Sequence, residues 1–271
     1  MKAAPTILVF DSGLGGLTVH REVAKARPDA RFIYAADDAF FPYGRKGEAE
    51  LVERVLTVVG VLIAAHHPDI VVVACNTAST IVLPHLRKHF AVPFVGTVPA
   101  IKPACAASTS RQVSVLGTDA TVKREYTRAL IRDFADGCAI NLVGSPQLAE
   151  LAEMALRGQP VADSDVAREI APCFVEQNGA RTDTVVLACT HYPLLLDQLQ
   201  RLAPWPVTFI DPAPAIARRV TDLLDPTFPL VATAKRPAEA RLIFTSRRAP
   251  PPPLRAALAE FGVVEAAPAG V

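Results

Sequence analysis

Two cysteines, each delivered by an apolar run and followed at once by polar residues, carry the strongest chemical signal in the sequence. Residues 71–80 read Val-Val-Val-Ala-Cys75-Asn76-Thr77-Ala-Ser-Thr, and residues 185–193 read Val-Val-Leu-Ala-Cys189-Thr190-His191-Tyr192-Pro193. A buried strand with a thiol at its carboxyl end puts that thiol where ligands bind in open α/β sheets. The two lie 114 residues apart (189 − 75), which suggests two halves facing one another across a cleft. Thiols on opposite sides of one carbon can take a proton from one face and return a proton to the other. Such a thiol must first be made basic, from a reference pKa of roughly 8.5. His191, two residues past Cys189, can draw off its proton or stabilise the thiolate. Asn76, Thr77 and Thr190, with nearby backbone N–H groups, can hold a carboxylate. Two other uses stay open: Cys-His hydrolysis, which leaves the second loop without a role, and zinc held by Cys75, Cys189 and His191, which no short CxxC or HxxxH spacing supports.

Other residues add to this. Asp11-Ser12-Gly13-Leu14-Gly15-Gly16 follows a strand and opens a helix, a turn whose N–H groups can bind an anion. Its spacing is not the dinucleotide fingerprint and no Walker lysine follows. Asp11 at the strand end can bind an ammonium group or orient a thiol. Tyr43 and Gly44 sit in a Pro-Tyr-Gly loop, an ordinary turn when taken alone, and Asp37 and Asp38 before it read as solvated unless that loop folds over. Glu150 and Glu153 share one side of a helix, by default a solvated face. Cys105, Cys138 and Cys173 lack polar company and read as structural.

The elements that must position these groups alternate between apolar runs and helical patterns. Strands are expected at Thr6–Phe10, Arg31–Ala35, Ile70–Ala74, Val92–Val95, Val113–Gly117, Ala139–Val143, Thr184–Ala188, Thr208–Asp211 and Leu242–Ser246. Helices are expected at Glu48–Ala65, Thr80–His89, Val122–Phe134, Gln147–Leu156 and Ser164–Gln177, with another running to about Lys25. This is the pattern of an α/β protein with parallel sheets. Strand–turn–helix followed later by strand–Ala-Cys occurs twice, so Ile7–Gly16 corresponds to Val113–Thr121 and Cys75 to Cys189. The expected architecture is therefore two similar doubly wound parallel-sheet domains related by pseudo-symmetry. Pro250–Pro253 reads as a stiff extended spacer in a surface loop.

The chain has 271 residues, half of them apolar and a fifth charged, with a net charge of +1. That is enough for one large domain or two ordinary ones, and it gives no electrostatic case for nucleic acid or an anionic membrane. The longest apolar stretch, Val55 to Ala65, is too short to span a bilayer. The amino terminus runs straight into a strand without a signal-peptide pattern. Five cysteines without paired spacing argue against a disulfide framework. A cytoplasmic protein is expected. A two-lobed amino-acid receptor is the competing class, but it needs no paired thiols and would carry an export signal.

Taken in order, these motifs resemble glutamate racemase, of the aspartate/glutamate racemase superfamily. The resemblance runs from Val9-Phe10-Asp11-Ser12-Gly13-Leu14-Gly15-Gly16 through Pro42-Tyr43-Gly44, Ala74-Cys75-Asn76-Thr77 and Gly117-Thr118-Asp119-Ala120-Thr121 to Cys189-Thr190-His191-Tyr192-Pro193 and Phe244-Thr245-Ser246. It implies that Cys75 works on the D-enantiomer of glutamate and Cys189 on the L-enantiomer. It also implies substrate contacts at Asp11, Ser12, Tyr43, Gly44, Asn76, Thr77, Thr190 and His191, with Thr118 and Thr121 as further carboxylate neighbours. Asp11, Asp37, Glu153 and His191 match positions that tune the thiols. The implied fold is a first domain of residues 1–97 plus 208–271 and a second of 98–207, with the active site between them. The family uses no cofactor and no metal, generally forms homodimers and supplies D-glutamate for peptidoglycan. One segment departs from it: where the family usually has Gly-Asp-Thr-Ala-Arg, this chain has Ala36-Asp37-Asp38-Ala39-Phe40-Phe41.

Overall fold

A computed structural model describes residues 4–135, 137–177, 179–230 and 239–265. Residues 1–3, 231–238 and 266–271, which the domain reading included, lie outside the described residues. The strands are β1 Thr6–Asp11, β2 Arg31–Ala36, β3 Ile70–Val73, β4 Phe94–Gly96, β5 Gln112–Gly117 and β6 Ala139–Gly144, followed by β7 Glu176–Gln177, β8 Ala180–Arg181, β9 Thr184–Ala188, β10 Thr208–Ile210, β11 Ala240–Phe244 and β12 Val263–Glu265. The chain divides into two compact units, one of residues up to Thr97 together with those from Ala213 on, the other Val98–Pro212.

The first unit holds a six-stranded sheet in the order β12-β11-β2-β1-β3-β4, with every pairing parallel. Ile7, Leu8, Val9 and Phe10 on β1 and all four residues of β3 are wholly buried. Such continuous apolar runs belong to the central strands of a parallel sheet covered on both faces. Helix Glu48–His66 packs on this sheet through Leu51, Val55, Val58, Val59 and Leu62, a stripe at helical spacing. It opens with Glu48 and Glu50 in its first turn and ends on His67 in the left-handed conformation, φ 45°. The second unit holds a four-stranded parallel sheet, β10-β9-β5-β6, and a two-residue antiparallel ladder between β7 and β8.

The order β2-β1-β3-β4 in the first sheet matches β6-β5-β9-β10 in the second. In each, the central strand β3 or β9 leads into an Ala-Cys step, Ala74-Cys75 after β3 and Ala188-Cys189 at the end of β9. Thr208–Ile210 pairs with Thr184–Val186, so these residues sit in the second sheet rather than the first, and the division falls after Pro212. Several elements escape the sequence reading, among them helix Ile101–Ala107, the β7–β8 ladder, helix Leu196–Leu202 and β12. Helix Ile101–Ala107 is masked by Pro103, which is tolerated because the first-turn N–H groups of a helix have no partner inside it. Strand β12 follows Gly262, whose φ of +68° turns the chain back. The helix expected over Ser164–Gln177 stops at Ile170, because Pro172 lacks a donor and Gly179, φ +77°, turns the β7–β8 hairpin. Pro250–Pro253 is not a free spacer, since Pro252 and Pro253 open helix Pro252–Glu260. Among the described residues no helix is long and apolar enough to cross a membrane.

Candidate active site

In the first unit, register alone brings the key residues to one edge. Asp11 pairs with Ala36, and Phe10 with Val73, so Asp11, Asp37 and Cys75 all emerge at the carboxyl end of the sheet. Asp11 is completely buried. Its Oδ2 accepts from the backbone N–H groups of Gly13 (3.3 Å) and Gly16 (3.0 Å), the loop behaving as an anion cradle for its own aspartate. Tyr34 OH donates to the Gly13 carbonyl at 3.0 Å and braces the turn. Gly16 is required there, since a Cβ would come within 2.9 Å of the Ala74 and Asp11 Cβ atoms.

Asp11 Oδ1, both ends of the Asn76 amide and Thr97 Oγ1 are buried with no hydrogen-bond partner among the described residues. An unsatisfied buried polar group costs about 1–3 kcal/mol, so four such atoms from one sheet edge mark a place completed by a polar ligand. Ser12 and Thr77 are buried beside them, and Cys75 heads the short helix Asn76–Ile81. Thr97 is not foreseen from sequence. It follows β4 directly, the same strand-end signal that pointed to Asp11 and Cys75.

Asp37 is not solvated, and Asp38 is half-buried. Asp37 is wholly buried. It accepts from Tyr43 OH (2.7 Å), Arg54 Nε (3.0 Å) and Nη2 (2.6 Å), and Thr245 Oγ1 (2.7 Å). Asp38 binds Ser246 through its backbone N–H (2.9 Å) and its hydroxyl (2.5 Å). A hydroxyl and a guanidinium therefore reach Asp37 despite the departure at residues 38–41, one from β11's end and one from helix Glu48–His66. With its oxygens so occupied, Asp37 acts on Tyr43 before it acts on a thiol. Tyr43 is buried, and its hydroxyl is held well above the usual phenol range, first by burial and then by the charges of Asp37, Cys75 and Asp11. Gly44 shares its 3₁₀ turn, Tyr43–Arg45.

In the second unit, Gly117 pairs with Gly144 and Ala188, which brings Thr118, Ser145 and Cys189 to the carboxyl edge of that sheet. Cys189 Sγ lies 3.8 Å from His191 Nδ1, and His191 Nε2 lies 3.0 Å from Glu153 Oε1. Arg157 Nη2 donates to Glu153 Oε2 at 3.2 Å. Cys189, His191 and Glu153 are all buried. A carboxylate accepting from Nε2–H fixes the tautomer whose Nδ1 is an acceptor, the form able to take the Cys189 proton. Glu153 is thus no solvated residue, whereas Glu150 on the same helix is half-exposed. Thr118 and Thr121 join through their hydroxyls at 3.0 Å, with Thr118 Oγ1 also accepting from the Thr121 N–H as a helix cap. Thr190 is buried next to Cys189, and wholly buried Tyr192 has its phenol held well up by burial and by Cys189.

The remaining cysteines divide. Cys173 is buried and pushed up to about 12 by desolvation, as expected of a structural thiol. Cys105 and Cys138 do have polar company, the Arg111 guanidinium, so they are not inert in the same sense.

Residues 18–220 match the model of the Asp/Glu/Hydantoin racemase family. The chain is 59% identical over 221 residues to the glutamate racemase of Brucella anthropi, covering 81% of this chain and 80% of that one. To the glutamate racemase of Brucella canis it is 58% identical over 219 residues, covering 80% and 79%. The fold is similar to Escherichia coli glutamate racemase solved with L-glutamate and the activator UDP-MurNAc-Ala, at a TM-score of 0.86 and 41% identity over 97% of each chain. It is also similar to the Thermus thermophilus enzyme solved with β-chloro-D-alanine, at 0.74 and 30% identity over 99% and 98%. With a strand order repeated in both sheets, a thiol at the same place in each and this range of matches, the chain belongs to the Asp/Glu/hydantoin racemase family.

Proposed function

We propose that this chain interconverts L- and D-glutamate by direct proton transfer at the α-carbon, with Cys75 and Cys189 as the two bases and no cofactor. The observation that carries the reading is the paired placement of a thiol immediately past the equivalent strand of two sheets with the same strand order. The α-proton of an amino acid is very weakly acidic, so the site must stabilise a carbanion-like transition state. Hydroxyl and amide donors of Asn76, Thr77, Thr118, Thr121 and Thr190 serve the carboxylates, with Ser12, Tyr43 and Gly44 as further contacts. Asp11 Oδ1 receives the ammonium group and keeps it charged.

One cysteine begins as thiolate and the other as thiol. On D-glutamate, Cys75 takes the α-proton and the Cys189 thiol returns one to the opposite face. On L-glutamate the roles reverse, with His191, oriented by Glu153, drawing the proton from Cys189 beforehand. Each turnover therefore leaves the pair primed for the reverse direction. The product supplies D-glutamate for peptidoglycan in the cytoplasm, where free thiols persist, and the working form is a homodimer.

The test is incubation of the purified protein with L- or D-glutamate in deuterated water, followed by chiral chromatography and mass spectrometry, with aspartate beside it. Interconversion with solvent deuterium in the product is expected for glutamate and not for aspartate. Exchange confined to aspartate moves the chain to a sister specificity, and no exchange with either overturns the assignment.

A further inference from the structure

Cys105, on helix Ile101–Ala107, and Cys138, just before β6, come together in the second unit although 33 residues separate them. Cys138 Sγ donates to the Cys105 carbonyl at 3.8 Å, and the two thiols lie within hydrogen-bonding reach of each other. Both pack in one apolar cluster with Ile101 and Val113. Arg111 closes the group, its Nη1 standing 3.8 Å from Cys138 Sγ and 3.3 Å from the Cys105 carbonyl. Access differs between the two sulfurs, Cys105 being buried and Cys138 only half-buried. Neither thiol has a part in the racemisation.

We propose that Cys105 and Cys138 form a redox-sensitive dithiol, which a hydroperoxide closes to an intramolecular disulfide. Cys138 reacts first, because it is the accessible sulfur of the pair. The thiolate attacks one peroxide oxygen, the O–O bond breaks, and the departing hydroxide leaves as water with the proton that Cys138 gave up, so that Cys138 becomes a sulfenic acid. The Cys105 sulfur then attacks the sulfenic sulfur and the S–O bond breaks. The released hydroxide carries off the Cys105 proton as a second water. Two thiols and one hydrogen peroxide thus become one disulfide and two waters. Burial, and the neighbouring Cys138, push the Cys105 thiol up to about 12, which makes it a poor target for peroxide and suits it to the resolving step. The bond would tie helix Ile101–Ala107 to the entry of β6.

The full chain, reduced and freed of reductant, is exposed to a small excess of hydrogen peroxide, capped with N-ethylmaleimide, digested and mapped by mass. A Cys105–Cys138 linked peptide, lighter than its parts by two hydrogens, is expected. Cys105→Ser should strand Cys138 as a dimedone-reactive sulfenic acid, and Cys138→Ser should leave Cys105 reduced. Recovery of both thiols unoxidised, of Cys138 as sulfinic acid in the unaltered chain, or of either thiol linked to a different cysteine would overturn the proposal. The readout is independent of racemase activity.

Discussion

The Arg54 guanidinium spans the Asp37 carboxylate, with Nε 3.0 Å from Oδ2 and Nη2 2.6 Å from Oδ1. Asp37 is wholly buried while the Arg54 side chain is 33% exposed, so the pair joins a carboxylate inside the fold to a guanidinium at its surface. Removing one partner of a buried ion pair costs about 3–5 kcal/mol. Because Arg54 is partly in solvent, Arg54→Gln should lose about 2–3 kcal/mol, read as a lower urea midpoint at unchanged slope. It should also raise the KM for glutamate by loosening Tyr43. Arg54→Lys should recover only part of both, since an ammonium cannot span two oxygens.

Cys75→Ser and Cys189→Ser should each abolish racemisation, measured by circular dichroism from either enantiomer. Each variant retains one base, so elimination of HX from a β-substituted analogue should survive in at least one of them. Full racemase activity in either variant sinks the two-base scheme.

Glu153→Gln keeps the shape of the side chain but replaces an anionic acceptor with a neutral amide beside His191. The proton-transfer contribution at Cys189 should fall, lowering kcat/KM on the order of 100-fold. The loss must be equal in both directions, because the enantiomers have an equilibrium constant of one. The distinguishing signal is the α-deuterium isotope effect, which should grow for L-glutamate as the Cys189 step becomes limiting.

His20 supplies a pH signature unrelated to catalysis. Burial lowers its pKa from 6.5 to about 4, against a smaller opposing effect from the Phe261 backbone. The folded state binds its proton more weakly than the unfolded state, so stability rises with pH between those values. Its contribution is intact above pH 6.5 and is lost progressively as pH falls to about 4, a penalty of about 3 kcal/mol. His20 packs edge-on against Phe32 at 5.0 Å, so His20→Phe should preserve the packing. Unfolding midpoints across this pH range should then lose that part of their slope, and an unchanged slope would exclude His20 as its source.

The strands were legible because central parallel strands bury both faces and read as unbroken apolar runs, as Ile70–Val73 and Thr184–Ala188 do. The loops after them were legible because a polar residue directly behind such a run has few places to go except the sheet's carboxyl edge. What resisted was anything set by distance in the fold rather than by neighbours in sequence. Arg54 looks like one more charge on the outer face of an amphipathic helix. Glu153, in a Glu-x-x-Glu pattern, reads as solvated until the fold lays its helix against His191. Thr245 reaches Asp37 across 208 positions, and helix Ile101–Ala107 hides behind its own proline.

That last span has a bearing on how the molecule is made. β2 pairs on one side with β1, which precedes it by some twenty residues, and on the other with β11, about two hundred residues later, with Arg241 beside Ile33 and Phe244 beside Ala36. As the polypeptide leaves the ribosome, Val98–Pro212 emerges as one uninterrupted length and can collapse by itself, whereas the first sheet must wait with β2 as an open edge. Exposed strand edges invite pairing with other chains, and distant closures are slow. Synthesis therefore holds Asp37 without its Thr245 hydroxyl until β11 has emerged, so the Asp37 that anchors Tyr43 gains its full set of partners only after Val98–Pro212 has been made.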